Sequence, residues 1–418
     1  MFPARPQFYG ATPGERRDTH EARTIRPRYN PAPKQRAGPT YLGGPVDLST
    51  RNRIGSTALE VSPLGLGTVP IGGLYQPVTD AEADTLIRRS YELGVRFFDT
   101  APEYGSGLAE SRLGKVLPEL QRDEMVVATK VGRLLRPISF AAKTRRVLAE
   151  SIRSGDVRRI ASDAVRITRR LARGGTATDV QLGAPFDKGQ AAMVSYFDFS
   201  YDGVMRSVEE SLARLRLDRV DMLYIHDPDH HHDEALEGAF KALDRLRGDG
   251  TVRAIGVGMN QTEMLVRFAR EAAFDCFLVA GRYTLLDQEA LAELIPECRQ
   301  RGISIVVGGV YNSGILANPT AGAKFNYGPA PTPLVEKAQR IQAVCTRHGI
   351  PLMAAAIQFP LGNPVVAAVL TGTRSVAEIE QNVAMFQVQI PDAMWQDLRA
   401  EGLLPAEAPT PATATAAS

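Results

Sequence analysis

Four polar side chains stand where apolar runs of this chain end. Asp99 lies at the end of VRFFDT, Tyr104 follows it in APEYGSG, Lys130 closes MVVATK and His226 closes VDMLYIH. A tyrosine ordinarily ionises near ~10, too high for efficient proton exchange at neutral pH, and an adjacent ammonium stabilises its phenolate. Lys130 could supply that charge, Asp99 could keep Lys130 protonated and oriented, and His226 could hydrogen-bond a substrate oxygen. The chemistry these residues permit is hydride transfer with an accompanying proton transfer. Each also has a plain structural reading: a strand-end Asp as a loop brace, a Tyr satisfying its hydroxyl in the core, a lone His as a packing residue. Their joint placement carries the argument, because each would meet the others only if several strand ends converge.

Convergence sets a demand on the fold. Eight β-rich runs, VSPLGLG, VRFFDT, MVVATKVG, VDMLYIH, VRAIGVG, FDCFLVA, ISIVVGG and VAAVLTG, alternate with amphipathic stretches. Those stretches predict helices over Asp80 to Leu93, Ala109 to Leu117, Tyr201 to Leu215, Asp233 to Arg247, Gln261 to Glu271, Gln288 to Gln300, Pro333 to Arg347 and Ser375 to Phe386. Asp80, Asp233, Ser375 and Thr332 are the expected N-caps. A closed (β/α)8 TIM barrel satisfies this count, since it buries every strand on both faces, leaves no edge and gathers the C-terminal strand ends at one mouth.

Composition sets the outer bounds. The 418 residues are 44% hydrophobic and 23% charged with a net charge of +2, which excludes disorder throughout and any whole-molecule field for nucleic acid or an anionic membrane. Cys276, Cys298 and Cys345 are an odd set without CxxC spacing, which predicts a reducing, cytoplasmic compartment and no disulfide framework. No apolar run reaches the ~18 residues of a membrane span, and MFPARPQFYG lacks the apolar core of a signal peptide. Asp229 to His232 reads DHHH, but consecutive residues point in different directions, so a solvated loop and no metal are expected. The expected partner is a small-molecule substrate. No motif speaks to oligomeric state.

Three regions depart from the repeat. Residues 1–50 and 404–418 are Pro-, Gly-, Ala- or Thr-rich and are expected to be disordered tails around a barrel over 51–403. After the third strand an insertion of about 143–180 is strongly basic, with a local balance of +7 over Lys143 to Arg173, and helical spacing of Ile160, Ala164, Ile167 and Leu171 predicts amphipathic helices. A substrate lid or oligomer contact, a solvated basic face and a nucleic-acid surface are the readings open to it. The Gly/Pro-rich stretch ANPTAGAKFNYGPAPTP is expected to be a loop over the mouth.

The segments FFDTAPEYGSGLAESRLGKVL, VVATKVG and DMLYIHD resemble the catalytic segments of the aldo-keto reductase superfamily, and RIGSTALEVSPLGLGT resembles its N-terminal hairpin and first strand. Within the superfamily, KVGRLLRP, FDFSYDGVMRSVEESLARL, AGRYTLLDQEAL and GGVYNSGILA are similar to aldose 1-dehydrogenases and the related pyridoxal and L-galactose dehydrogenases. The resemblance implies Asp99, Tyr104, Lys130 and His226 as the catalytic tetrad, with Tyr104 exchanging the proton. It also implies cofactor contacts at Gly67, Thr68 and Asn260 near the nicotinamide. Where many members carry a carboxamide-binding Gln and a stacking Tyr, this chain has Ala280 and Gly308. Small residues there let the backbone approach, so Gly308, Gly309, Val310, Tyr311, Asn312 and Ser313 are expected to cradle the pyrophosphate or simply to end a strand. Thr373, Arg374, Glu378 and Asn382 match the adenosine-ribose site. Glu378 takes a position where an arginine commonly holds the 2′-phosphate, and a carboxylate repels phosphate while accepting bonds from a free 2′-hydroxyl, which favours NAD and leaves NADP possible through Arg374.

The function expected is NAD(P)-dependent oxidation of the anomeric hydroxyl of an L-fucose-like aldose to a lactone. Run backwards, the same site is a carbonyl reductase of an aldehyde such as pyridoxal or of a larger ketone. A cofactor-sensing or scaffolding subunit is the alternative outside enzymes, against which the intact tetrad speaks.

Overall fold

The computed structural model describes residues 48–74, 76–137, 193–326 and 328–411. Eight parallel strands close into a barrel: β1 (Leu64–Gly67), β2 (Phe97–Asp99), β3 (Val126–Val131), β4 (Met222–His226), β5 (Ala254–Met259), β6 (Cys276–Ala280), β7 (Ser304–Gly308) and β8 (Val366–Gly372). They pair in chain order, and β8 returns to β1 through Leu370↔Gly65 and Gly372↔Gly67. Each of the eight predicted strands is present.

The pleat decides what faces the barrel axis. Side chains alternate along a strand, so Phe97 and Asp99, then Val126, Ala128 and Lys130, then Met222, Tyr224 and His226, form three inward rows. Their lower members fill the barrel with Ile54, Leu59, Val61, Ala254, Cys276 and Val306. The opposite phase (Leu64, Phe98, Val127, Leu223, Ile225, Ile255) packs outward against the helices. Below, Asn52–Arg53 pairs antiparallel with Glu60–Val61, and the apolar side of this hairpin plugs the barrel. Above, the inward phase of β1, β5, β7 and β8 ends in Gly67, Gly258, Gly308 and Gly372, which leaves the mouth open.

Helices α1 (Asp80–Glu92), α2 (Leu108–Val116), α3 (Tyr201–Leu215), α4 (Lys241–Gly248), α5 (Glu263–Glu271), α6 (Leu294–Arg301), α7 (Thr332–Arg347), α8 (Leu352–Gln358), α9 (Val376–Phe386) and α10 (Asp392–Ala400) surround the strands. Ser375 caps α9 as expected, accepting from Glu378 N. The other three cap expectations are corrected. Thr79, not Asp80, caps α1 in a reciprocal pair with Glu82, and Asp80 instead binds Arg112 at 2.9 Å. Pro331 precedes α7, and Thr332 is its first residue. Asp233 sits inside the short turn His232–Glu234, which leads through a π-helical stretch, Ala235–Phe240, into α4.

Helices α8 and α10 have no counterpart in the predicted set; α8 follows a Pro and is too short and uniformly apolar to show a helical stripe. Packing also runs on past Leu403: Leu404 and Ala408 are buried, Arg399 donates to Ala408 O at 2.9 Å, and Thr410 lies over Gly362, where a Cβ would come within 2.4 Å of it. The C-terminal tail expected from 404 is therefore fixed to the barrel as far as Pro411. His232, expected in a solvated loop, is buried with its ring 4.8 Å from that of Phe268. The basic insertion and residues 1–47 and 412–418 lie outside the described residues. At the flanks of the insertion, Arg133–Pro137 pairs antiparallel with Met193–Phe197 and forms a ribbon beside the mouth. The Gly/Pro-rich stretch after β7 holds a small two-stranded piece, Lys324–Phe325 against Gly328–Pro329, and Ala317 and Lys324 line the cleft.

Candidate active site

Because Asp99, Lys130 and His226 end adjacent inward rows, the barrel brings them together at its mouth. Lys130 Nζ lies 2.7 and 2.9 Å from the two Asp99 carboxylate oxygens and donates to Thr100 O at 2.9 Å. Both side chains are almost wholly buried. Thr68 braces Asp99 from β1 by donating through its Oγ1 and its N–H to the Asp99 carbonyl.

Tyr104 comes from the turn after β2. That turn is built by close backbone contact: Gly105 has φ +64°, and a Cβ there would stand 2.3 Å from Gly72 O. Tyr104 meets Lys130, whose Nζ lies 4.8 Å from the ring centroid, and stands edge-on to the His226 ring at 5.9 Å. Burial works against the Lys130 ammonium, but Asp99 and Tyr104 outweigh it and hold Lys130 above the ordinary lysine range. His226 is pushed well below the ordinary histidine range by burial and then by Lys130 and Arg133, so its ring is neutral at pH 7. The tetrad thus presents a protonated lysine against a tyrosine and a neutral imidazole.

A cleft of about 1160 Å³ runs from these residues across the barrel mouth. That exceeds the roughly 300–1,000 Å³ of a typical small-ligand site and leaves space for a dinucleotide with a substrate. Of the thirteen cofactor contacts expected from sequence, Gly67, Asn260, Gly308, Gly309, Val310, Tyr311, Ser313, Arg374, Glu378 and Asn382 line it. Three do not. Thr68 is spent on Asp99, Asn312 is buried between Thr284 and the Gly281 carbonyl, and Thr373 is buried beneath the surface. Tyr311 donates to Asn382 Oδ1 at 2.8 Å, tying the strand-end glycine segment to α9.

The lining fits a nicotinamide dinucleotide. Left-handed backbone at Gly309, Asn312, Ser313 and Gly314 bends the main chain along the cleft, the kind of curvature that turns N–H groups towards an anion. Buried atoms of three residues lining the cleft, His226 Nδ1, Arg133 Nε and Glu103 Oε2, have no hydrogen-bond partner among the described residues, and buried polar groups of this kind call for one. At the far end Glu378 accepts from Arg374 N at 2.8 Å and from its guanidinium Nη2 at 2.8 Å.

Residue-by-residue reading missed a charged group on the rim. Arg133, Glu103 and Asp227 line the cleft, with Arg133 Nη2 2.8 Å from Asp227 Oδ2. The available signal was position: each lies within three residues of a tetrad member along the chain.

The Aldo/keto reductase family model matches residues 63–401. The pyridoxal 4-dehydrogenase of Microbacterium luteolum is 39% identical over 373 residues, which span 86% of this chain and 99% of that protein. A D-threo-aldose 1-dehydrogenase of a Pseudomonas species is 38% identical, over 85% of this chain and 99% of its own length. The holo form of an aldo-keto reductase of Bacillus halodurans shares the fold with a TM-score of 0.60 at 21% identity, covering 85% of this chain and 96% of that one. Among the described residues no helix is long and apolar enough to cross a membrane. The barrel, the converging strand-end residues and these matches agree that the chain is an NAD(P)-dependent oxidoreductase and belongs to the aldo/keto reductase family.

Proposed function

We propose that this enzyme oxidises the anomeric hydroxyl of a free, L-fucose-like aldose to a lactone, with NAD as its cofactor and Tyr104 as the group that takes the hydroxyl proton. The observation that carries the reading is the buried Asp99–Lys130 pair facing Tyr104 at the floor of the cleft. The Pseudomonas aldose dehydrogenase, 38% identical over nearly its full length, supports the substrate class.

When bound, the nicotinamide supplies the hydride acceptor. Asn260 would hold its carboxamide, the backbone from Gly308 to Ser313 the diphosphate, and Glu378 with Asn382 the adenosine end. The Lys130 ammonium stabilises the phenolate of Tyr104, which accepts the proton of the anomeric hydroxyl. Asp99 fixes Lys130 in its protonated form by two hydrogen bonds. His226, neutral, donates a hydrogen bond to the same substrate oxygen and sets its approach without adding a charge that would compete for the proton. The preference for NAD rests on the Arg374–Glu378 pair: the guanidinium is already bound by a carboxylate that repels a 2′-phosphate.

The reverse reaction, reduction of an aldehyde such as pyridoxal, is a second reading; the Microbacterium relative, a pyridoxal 4-dehydrogenase at 39% identity, supports pyridoxal as the compound to test. The two separate in one experiment: reduction of NAD⁺ and NADP⁺ and oxidation of NADH and NADPH, each followed by absorbance with L-fucose, L-galactose, D-arabinose and pyridoxal, for wild type and Tyr104→Phe. NAD⁺-linked turnover of an aldose that Tyr104→Phe abolishes is the expected result. NAD(P)H-linked reduction of pyridoxal without oxidation of any aldose favours the second reading, and binding of NADH without turnover of any substrate speaks for a sensing role.

A further inference from the structure

The rim of the cleft carries charges that the proton transfer above does not use, and each is chained to a tetrad residue. Glu103 immediately precedes Tyr104, Asp227 immediately follows His226, and Arg133 stands three residues beyond Lys130. All three line the cleft beside the tetrad. The backbone is bent to bring them there. Gly132 has φ +92°, and a Cβ on it would meet the Phe199 ring at 2.2 Å. Asp227 has φ +45°, a strained conformation for a non-glycine residue that persists only where the surroundings hold it. Asp227 uses that bend to place Oδ2 2.8 Å from Arg133 Nη2, while the guanidinium lies 4.9 Å over the Phe197 ring.

The brace leaves binding capacity over. Arg133 Nη1 stands 3.9 Å from Glu103 Oε1, beyond hydrogen-bond reach, and an oxygen bridging the two could lie at about 2.8 Å from each. Arg133 Nε and Glu103 Oε2 have no hydrogen-bond partner among the described residues. The charge count also selects. On the floor Asp99 and Lys130 cancel and His226 is neutral, while the rim sets two carboxylates against one guanidinium. A phosphate approaching this rim meets net negative charge and an arginine already engaged. A hydroxyl can donate to Glu103 and accept from Arg133 at once.

We propose that Arg133, braced by Asp227 and facing Glu103, is the specificity-determining group of this site, holding a hydroxyl next to the reacting carbon of an uncharged, polyhydroxylated substrate and rejecting its phosphorylated counterpart. This rests on the dehydrogenase reading of the cleft.

The test compares substrates that differ in one feature. Wild type, Arg133→Met and Glu103→Gln are assayed for NADH-linked reduction of glyceraldehyde, propanal and glyceraldehyde 3-phosphate, and for NAD⁺-linked oxidation of L-fucose. Loss of a charge-assisted hydrogen bond should raise KM for glyceraldehyde and L-fucose by about ten- to a hundredfold in each variant. The propanal KM should stay within about threefold, and wild type should prefer glyceraldehyde to its phosphate. Glu103→Gln, with the side chain 37% exposed, gives the same reading should Arg133→Met not fold. Parallel changes for glyceraldehyde and propanal, no change for either, or equal use of the phosphate by wild type would each overturn the proposal. Aldose oxidation that fails while the aldehyde discrimination appears overturns the proposed direction and leaves the role of Arg133 standing. Turnover of neither aldose nor aldehyde by wild type overturns both.

Discussion

Lys130 Nζ binds both carboxylate oxygens of Asp99, at 2.7 and 2.9 Å, and the same ammonium stands 4.8 Å from the ring centroid of Tyr104. One buried ion pair thus bears both on stability and on the proton that the reaction moves. The two roles separate by mutation, because an unpaired buried charge destabilises the fold whereas a missing ammonium deprives the tyrosine of its activation.

Lys130→Met should lower kcat by about 10²–10⁴-fold and destabilise the protein by about 3–5 kcal/mol, because it leaves the Asp99 carboxylate buried alone. Adding Asp99→Asn removes that charge. Urea unfolding of the double variant should recover most of the stability while turnover stays lost. Recovery of both together would show that the pair serves packing only.

Gly105→Ala places a Cβ at φ +64° and 2.3 Å from Gly72 O, so the turn carrying Tyr104 must move. A displacement on the scale of an ångström costs about 10²-fold in turnover. Gly402→Ala is the matched control, since it has φ +67° but open space around the position, and it should cost about 1 kcal/mol with kcat unchanged. Steady-state kinetics on the two variants, each with a melting curve, decide between strain at the site and strain in general.

His226 has a folded pKa well below its ordinary value, with burial the main cause, so the unfolded chain binds this proton and the folded one does not. Its contribution to stability is therefore fully present above about pH 6.5 and is lost as pH falls from there towards the folded pKa, with a slope of up to about 1.4 kcal/mol per pH unit. Urea unfolding from pH 7.5 to 5 should show this decline, and His226→Asn should flatten it by about one proton. An unchanged slope in the variant would assign the decline to other groups.

Glu378→Gln removes the carboxylate that holds Arg374 through three hydrogen bonds. The freed guanidinium and the lost repulsion should shift the kcat/KM ratio towards NADP by about five- to tenfold, as expected for one charge interaction near the surface. Measuring both cofactors at saturating substrate checks this. A ratio that does not move would place the 2′-position away from this pair.

The barrel was legible in the sequence because its information is local and periodic. Eight apolar runs of strand length with amphipathic stretches between them give the fold, and the two-residue pleat puts Asp99 in phase with Phe97, Lys130 with Ala128, and His226 with Tyr224. The polar residue at the end of each row is then aimed at the mouth by the same alternation that buries its neighbours. The segments around these residues also carried the family resemblance, which the family model's match over residues 63–401 bears out.

The contacts that define the rim come from residues far apart in the chain and from backbone bends that no pattern announces. Arg133 and Asp227 are 94 residues apart and meet only because Gly132 and Asp227 both take left-handed conformations at neighbouring strand ends. Thr68 reads as a cofactor contact by position, yet the closed sheet puts the Asp99 carbonyl within its reach and commits its hydroxyl there. Likewise, Arg374 and Glu378 are both legible as charges, but only the bend before helix α9, where Arg374 precedes the Ser375 cap, turns the guanidinium back onto the carboxylate of the helix's first turn. Hydrophobic periodicity fixes which face of an element is buried, and so the sequence alone determined the barrel and its inward-facing polar residues. Which of those charges are paired and which remain available to a ligand depends on distances across the mouth, and these exist only once the strands have closed.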